Sequence, residues 1–315
     1  MLVYITRRIM LLIPVLIVVA VLAFVMTNVM PGDPVTMILG NFALQEDIDL
    51  MREQLGLDQP FAVRFLIWGQ DVLHGDLGDS IFLHEPVTTA IVNRMEPTVL
   101  LALIGQSIGI LIGVPLGILA AINHRTIIDQ LAIFIALLGI SIPGFWLCLV
   151  CILVFSVKLG IFPAFGYESI ASAGLLGALR YVTMPGVIIG FGQSAMIARM
   201  TRSAMLDVMQ QDYIRTARSK GLREEVVVWQ HALKNAMIPV VTVIGFSMAS
   251  LLSGTWIAES IFAIPGTGNL AITAIMRRDY PIIQGSMIFV ALIYVIINLL
   301  VDISYALINP RIKYE

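Results

Sequence analysis

Apolar residues along this chain come in long unbroken stretches and do not alternate with polar ones. Six stretches, at about 9–28, 98–122, 130–157, 181–201, 236–258 and 282–307, are long enough to cross a membrane as helices. A helix needs about 20 residues to cover the roughly 30 Å hydrocarbon core, whereas a barrel strand would show segments of alternating polarity. The pattern predicts an all-α polytopic membrane protein of six transmembrane helices. The first stretch follows Arg7 and Arg8, is longer than a typical signal-peptide core and precedes no A-x-A site, so it reads as an uncleaved span.

The spans divide the chain into an N-terminal helix over 1–28, a polar segment over 29–97, a five-helix core over 98–308 and a tail over 309–315. Pro31-Gly32-Asp33-Pro34 ends the first span. A short helix is expected over 46–55, started by Glu46 and Asp47. An amphipathic helix is expected over 60–73, where Pro60 opens a run carrying Phe61, Phe65, Leu66, Trp68, Val72 and Leu73. Its apolar side is expected to pack on the protein's own outer face, with the membrane surface as the alternative.

Composition narrows the class. Hydrophobic residues make up 58% and charged residues 13% of the 315, with mean hydropathy +0.92. A soluble domain carries roughly 25% charged residues, so soluble enzymes, disordered chains and disulfide-rich secreted domains are excluded. Lys and Arg gather at the amino end, near Arg125, in the stretch 199–235 and in the tail, while Asp and Glu concentrate in the other loops. The positive-inside rule then places both termini in the cytoplasm.

Candidate chemistry inside the spans is sparse. Cys148 and Cys151 are flanked by apolar residues with no second ligand pair, so they read as buried thiols and no metal is expected. Gly105, Gly109, Gly113 and Gly117 form a four-residue stripe that invites a second helix to approach closely. The same run contains a G-x-S-x-G match at Ser107, but a nucleophile elbow needs a strand-to-helix turn, a His and an acid. Ser250, Ser253 and Thr255 are small polar residues that either glue helices or line a translocation path. Asn298 and Asp302 are the intramembrane polar pair of the last span, and a structural role is expected for them.

The stretch 203–238 is the most informative. Asp212 is expected to cap a short helix that ends at Lys220 and Gly221. Arg215, Arg218 and Lys220 make one side basic, while Ala217 and Gly221 leave another side nearly bare, a shape suited to a groove on a partner protein.

This stretch resembles the EAA loop of ATP-binding-cassette importer permeases, in the form found in the peptide, nickel and glutathione group. Arg215-Thr216-Ala217 stands where the family usually has Glu-Ala-Ala, Gly221 follows the last Ala by four residues, and Pro239 closes the motif. Further similarities run in order along nearly the whole chain: Arg7-Arg8, Pro31-Gly32-Asp33-Pro34, Leu55-Gly56-Leu57-Asp58-Gln59-Pro60, Gly75-Asp76-Leu77-Gly78, Pro265-Gly266-Thr267-Gly268, Arg278-Asp279-Tyr280-Pro281 and Asn309-Pro310-Arg311-Ile312.

The resemblance implies a type I importer permease fold in the bacterial cytoplasmic (inner) membrane. It also implies alternating access, with a coupling helix carrying Arg215, Thr216, Ala217 and Gly221. The implied partners are a second homologous permease, two cytoplasmic ATPases that bind ATP and Mg, an extracytoplasmic solute-binding protein and membrane lipid; nucleic acid is not among them. No cofactor is expected on this chain, which contains no G-x-x-x-x-G-K-[ST] phosphate loop. Peptides are the expected solute, with glutathione or nickel behind. A stand-alone secondary transporter or channel is the alternative reading.

Overall fold

The computed structural model describes residues 2–29, 34–40, 43–54 and 56–308. The expected turn at Pro31-Gly32-Asp33 and the tail from Asn309 lie outside the described residues, as do Leu55 and the side chains of Arg7 and Arg8. Among the described residues the fold is helical, and its only β-type pairing is an isolated bridge between Asp79 and Pro86.

Helix α1 (Leu2–Val29) is followed by α2 (Pro34–Leu39), α3 (Gln45–Gln54) and α4 (Phe61–Leu73), the last two close to the expected ranges. The core then runs through α5 (Val87–Ile122), α6 (Ile127–Ser141), α7 (Gly144–Cys151), α8 (Ile170–Met209), α9 (Asp212–Ser219), α10 (Glu224–Val226), α11 (Leu233–Leu252), α12 (Trp256–Ile261), α13 (Thr267–Arg277) and α14 (Tyr280–Ile308). Wide π-type turns extend α7 over Ile152–Lys158 and join α10 to α11 over Val227–Ala232.

Four described helical stretches are long and apolar enough to span a membrane: α5, α8, the run from α10 through α12, and α14. A fifth comes from α6 with α7, and the apolar part of α1 adds the shorter stretch Ile13–Val29. The third expected span is therefore not the continuous helix expected over 130–157. It bends by 90° between Ser141 and Gly144, because Pro143 supplies no N–H and pushes Ile142 out of the helical region, to ψ 124. Two other helices exceed their expected ranges. At 1.5 Å per residue, the 36 residues of α5 reach about 54 Å, well beyond the bilayer. Helix α8 continues to Met209, so the polar stretch from 203 begins as helix.

The glycine stripe makes the central contact. α5 and α8 run side by side with Gly105, Gly109, Gly113 and Gly117 facing Gly186, Gly190, Ser194 and Ala198. A methyl on Gly113 would lie 2.7 Å from the Ser194 carbonyl, and one on Gly117 would lie 2.6 Å from the Ala198 carbonyl. Lipid tails offer no hydrophobic drive between helices, so such close backbone packing supplies the attraction. Ser107 lies exposed in the middle of α5, with helix on both sides and no strand-to-helix turn.

Helix α4 packs on the protein, as expected. Phe24 of α1 takes the rings of Phe61, Phe65 and Trp68 at centroid distances of 5.3, 5.3 and 5.2 Å. Cys148 is buried and Cys151 half-buried, both as free thiols. No cluster of metal-ligating side chains occurs among the described residues.

Candidate functional site

Helix α9 has eight residues, too few to be stable alone in water. Its own chain holds it at both ends. Ile214 and Ala217 point inward and join a core with Met205 of α8 and with Val227, Val228 and Ala232 of the following turn. At its C-terminus Gly221 takes φ +77, its N–H bonds the Arg218 carbonyl at 2.9 Å, and the Leu222 N–H reaches the Ala217 carbonyl at 3.4 Å. These two bonds close a Schellman motif, for which glycine is the favoured residue.

The capping differs from expectation at the start of α9. Gln211 is the cap residue, with an extended backbone and no side-chain capping bond, and Asp212 is already helical. The Asp212 carboxylate sits 3.5 Å from Arg215 Nη1 and complements the positive helix end.

The expected bare side is also revised. Ala217 is 8% exposed and packs against this chain's own core. With Ile214 three residues earlier it forms the anchoring face, because residues three apart share a helix side. Gly221, by contrast, is open: a methyl there would meet nothing within 4 Å. Arg215, Thr216, Ser219 and Lys220 form the exposed face. Arg218 turns aside to Glu224, with contacts of 2.5 and 3.1 Å. Partial burial raises the Tyr213 hydroxyl above its ordinary pKa. The result is a small rigid knob at one end of the bundle, seated between α8 and the start of α11. It is packed against two spans.

A second tie at the same end lies outside the expected site. Asp129, at the start of α6, accepts two bonds of 2.7 Å from Arg202 of α8, together with the Arg125 N–H at 3.0 Å. His124 Nδ1 lies 3.3 Å from the same carboxylate. This cluster clamps the α5–α6 turn onto α8. Asp129 and Arg202 are 73 residues apart in sequence, and each looks like an ordinary loop charge there.

At the opposite end, Glu259 of α12 is completely buried. Its carboxylate accepts from the Asn269 N–H at 2.7 Å and from the Thr98 hydroxyl at 2.9 Å, and Thr98 in turn accepts from the Thr267 N–H. A methyl at Gly266 would sit 2.3 Å from the Glu259 carboxyl carbon, so the Pro265-Gly266-Thr267-Gly268 turn wraps directly on the acid. Asp279 does similar work nearby, accepting from the Ser80 hydroxyl and the Ile81 N–H. Glu96 accepts from the Tyr167 hydroxyl and the Ile170 N–H; burial first, and then this carboxylate, push the Tyr167 hydroxyl well above its ordinary range.

The remaining expected residues are scattered. Ser250 is exposed on α11, and Ser253 bonds its own helix at the Ala249 carbonyl. Thr255 Oγ1 is buried without a partner. Asn298 is exposed, and Asp302 is 9% exposed beside it in a pocket with Thr242 and Tyr305. The cavity that holds Asn298 and Asp302 is not lined by Ser250, Ser253 or Thr255.

The described residues thus form a membrane bundle with close glycine crossings, an Asp129–Arg202 ion pair at the α9 end, hydrogen-bonded acids at the other, and a short helix packed against two spans. The chain belongs to the binding-protein-dependent transport system inner membrane component family, which matches residues 113–314, with the N-terminal component of such systems matching residues 1–102. It is 43% identical over 311 residues, 99% of each chain, to a Brucella abortus (strain 2308) protein named as a peptide transport system permease. It is 40% identical over 333 residues, all of both chains, to the dipeptide transport system permease protein DppB of Alkalihalophilus pseudofirmus. It is likewise 40% identical over 315 residues, all of both chains, to the glutathione transport system permease protein GsiC of Salmonella typhimurium. Among solved structures it resembles a chain of the inward-facing MetNI methionine ABC transporter, with TM-score 0.54 and 18% identity over 70% of this chain and 97% of that one. The fold is thus that of a type I importer permease, and the function is that of an importer permease subunit.

Proposed function

We propose that this chain is one of two permease subunits of an ATP-driven peptide importer and that α9 is its coupling helix. The full-length similarity to peptide, dipeptide and glutathione permeases supports the solute class. The geometry of α9 supports the coupling role: Arg215, Thr216 and Gly221 face outward, while Ala217 with Ile214 fixes the knob to the bundle. In this reading α9 faces the cytoplasm, both termini are cytoplasmic, and two ATPases carry ATP and Mg. A binding protein delivers solute to the opposite end. The path forms against the second permease, along exposed Ser250 of α11, with Ser253 and Thr255 just past the end of that helix. Asn298 and Asp302 are structural in this reading, lying in the cavity between α14 and α11 that the Thr242–Tyr305 hydroxyl contact closes.

The test is to tag the full chain, extract it in mild detergent and identify what copurifies. A second permease with ATPase subunits is the expected result. A chain that purifies alone and moves solute on an ion gradient would replace this reading with the stand-alone carrier.

A further inference from the structure

Between α4, α1 and the start of α14 lies a cavity of about 410 Å³, within the roughly 300–1,000 Å³ usual for small-molecule sites. Its lining includes Phe24, Arg64, Trp68, Asp71, Asp79 and Tyr280. Three features set it apart from a packing gap. Arg64, Asp71 and Asp79 make no ion pair or side-chain hydrogen bond among the described residues. Trp68 Nε1 is shut off from solvent and has no hydrogen-bond partner, which is rare for a buried donor. The charges are also ordered. Arg64 and Asp71 are seven residues apart on one face of α4, about 10.5 Å along its axis, with Trp68 between them.

The depth of the cavity narrows the ligand. Phe24 lies five residues, about 7.5 Å, before the end of α1 at Val29. The cavity therefore opens where a spanning helix leaves the hydrocarbon, the level at which Trp and Tyr collect and lipid headgroups lie. Leu66, 69% exposed, and Ile67, 48% exposed, continue the apolar surface of α4 beside it.

We propose that this cavity binds an ammonium–phosphate zwitterion, the phosphoethanolamine headgroup of a membrane lipid. Arg64 meets the phosphate oxygens, with the Trp68 ring forming the wall between the two charged ends. The ammonium, with three donors, reaches Asp71 and Asp79 and sits against the ring of Tyr280. Phosphatidylglycerol lacks the ammonium, and the trimethylammonium of phosphatidylcholine has no N–H to donate. A bound lipid would fasten α4 to the junction of α1 and α14.

Native mass spectrometry of the full chain in detergent, with equimolar phosphatidylethanolamine, phosphatidylglycerol and phosphatidylcholine, tests this on the unmodified protein. One phosphatidylethanolamine should be retained in preference to the other two. Asp71→Asn should reduce that retention roughly tenfold, as expected for a lost charge-assisted bond, and leave the other lipids unchanged, while Arg64→Gln, which removes the contact to the phosphate that all three lipids share, should lower phosphatidylethanolamine retention by a similar factor without that selectivity. Soluble O-phosphoethanolamine should displace the lipid weakly; displacement as strong as by the lipid itself would assign the site to a soluble zwitterion and overturn the lipid reading. Equal retention of the three lipids, unchanged retention in the variants, or parallel loss of all three in Asp71→Asn would also overturn it.

Discussion

The crossing of α5 and α8 makes a graded prediction, because the same substitution meets different surroundings along one stripe. At Gly105 an added methyl would lie 3.4 Å from Ile189 Cγ2 and 3.5 Å from the Gly186 carbonyl, close to ordinary contact. At Gly117 it would lie 2.5 Å from Thr201 Cβ and 2.6 Å from the Ala198 carbonyl, and a backbone oxygen cannot swing away. Gly→Ala in a helix gains up to about 1 kcal/mol of propensity, while forcing a methyl into a filled contact costs about 1–3 kcal/mol. Gly105→Ala should therefore be neutral or stabilising by up to about 1 kcal/mol. Gly117→Ala, whose contacts at 2.5 and 2.6 Å put it at the upper end of that cost, should be destabilising by a net of up to about 2 kcal/mol. Gly190→Ala belongs with the second case, since its methyl would fall 2.5 Å from the Gly105 carbonyl. Thermal unfolding of the detergent-solubilised chain, followed by the loss of monodisperse protein, reads the difference. Equal midpoints for Gly105→Ala and Gly117→Ala would refute close backbone packing as the reason for the stripe.

Two further predictions concern the paired acids. Arg202→Met leaves the Asp129 carboxylate, 7% exposed, without its partner. Because Arg202 itself keeps 28% exposure, the loss should fall at the lower end of the roughly 3–5 kcal/mol seen for broken buried pairs, and adding Asp129→Asn should restore part of it in the same unfolding assay. Glu259→Gln keeps the volume but replaces one acceptor oxygen with an NH2 facing the Thr98 hydroxyl or the Asn269 N–H, and should cost about 1–3 kcal/mol; a wild-type midpoint would mean that the turn does not lean on this acid.

Local signals were read well from sequence. The stripe at every fourth residue, the amphipathic run of α4 and the Gly221 helix end each depend on neighbours within a turn or two, and each stands in the structure. What sequence hid depends on distant partners. In sequence Glu259 is a single acid a few residues before the Pro265-Gly266-Thr267-Gly268 turn, and only the arrival of Thr98, 161 positions away, makes it a hub. The inward set of Ala217 follows from Ile214 and the later Val227 and Val228, a face that the charges flanking it obscured. The bend at Pro143 was present as Ser141-Ile142-Pro143-Gly144, but the length of the apolar run outweighed that local break.

The central claim is that movement at α9 drives this permease, and Thr216 tests it better than Gly221. A side chain at Gly221 would strain a positive-φ position as well as block docking, whereas Thr216 is exposed and bonds only the Asp212 carbonyl of its own helix. Uptake of a labelled peptide should be measured in proteoliposomes holding the complete complex and its binding protein, with and without ATP, for wild type and Thr216→Trp. The account predicts ATP-dependent uptake by wild type and its loss in Thr216→Trp at an unchanged unfolding midpoint. Wild-type uptake rates in the variant, or uptake that proceeds on an ion gradient without ATP, would contradict it.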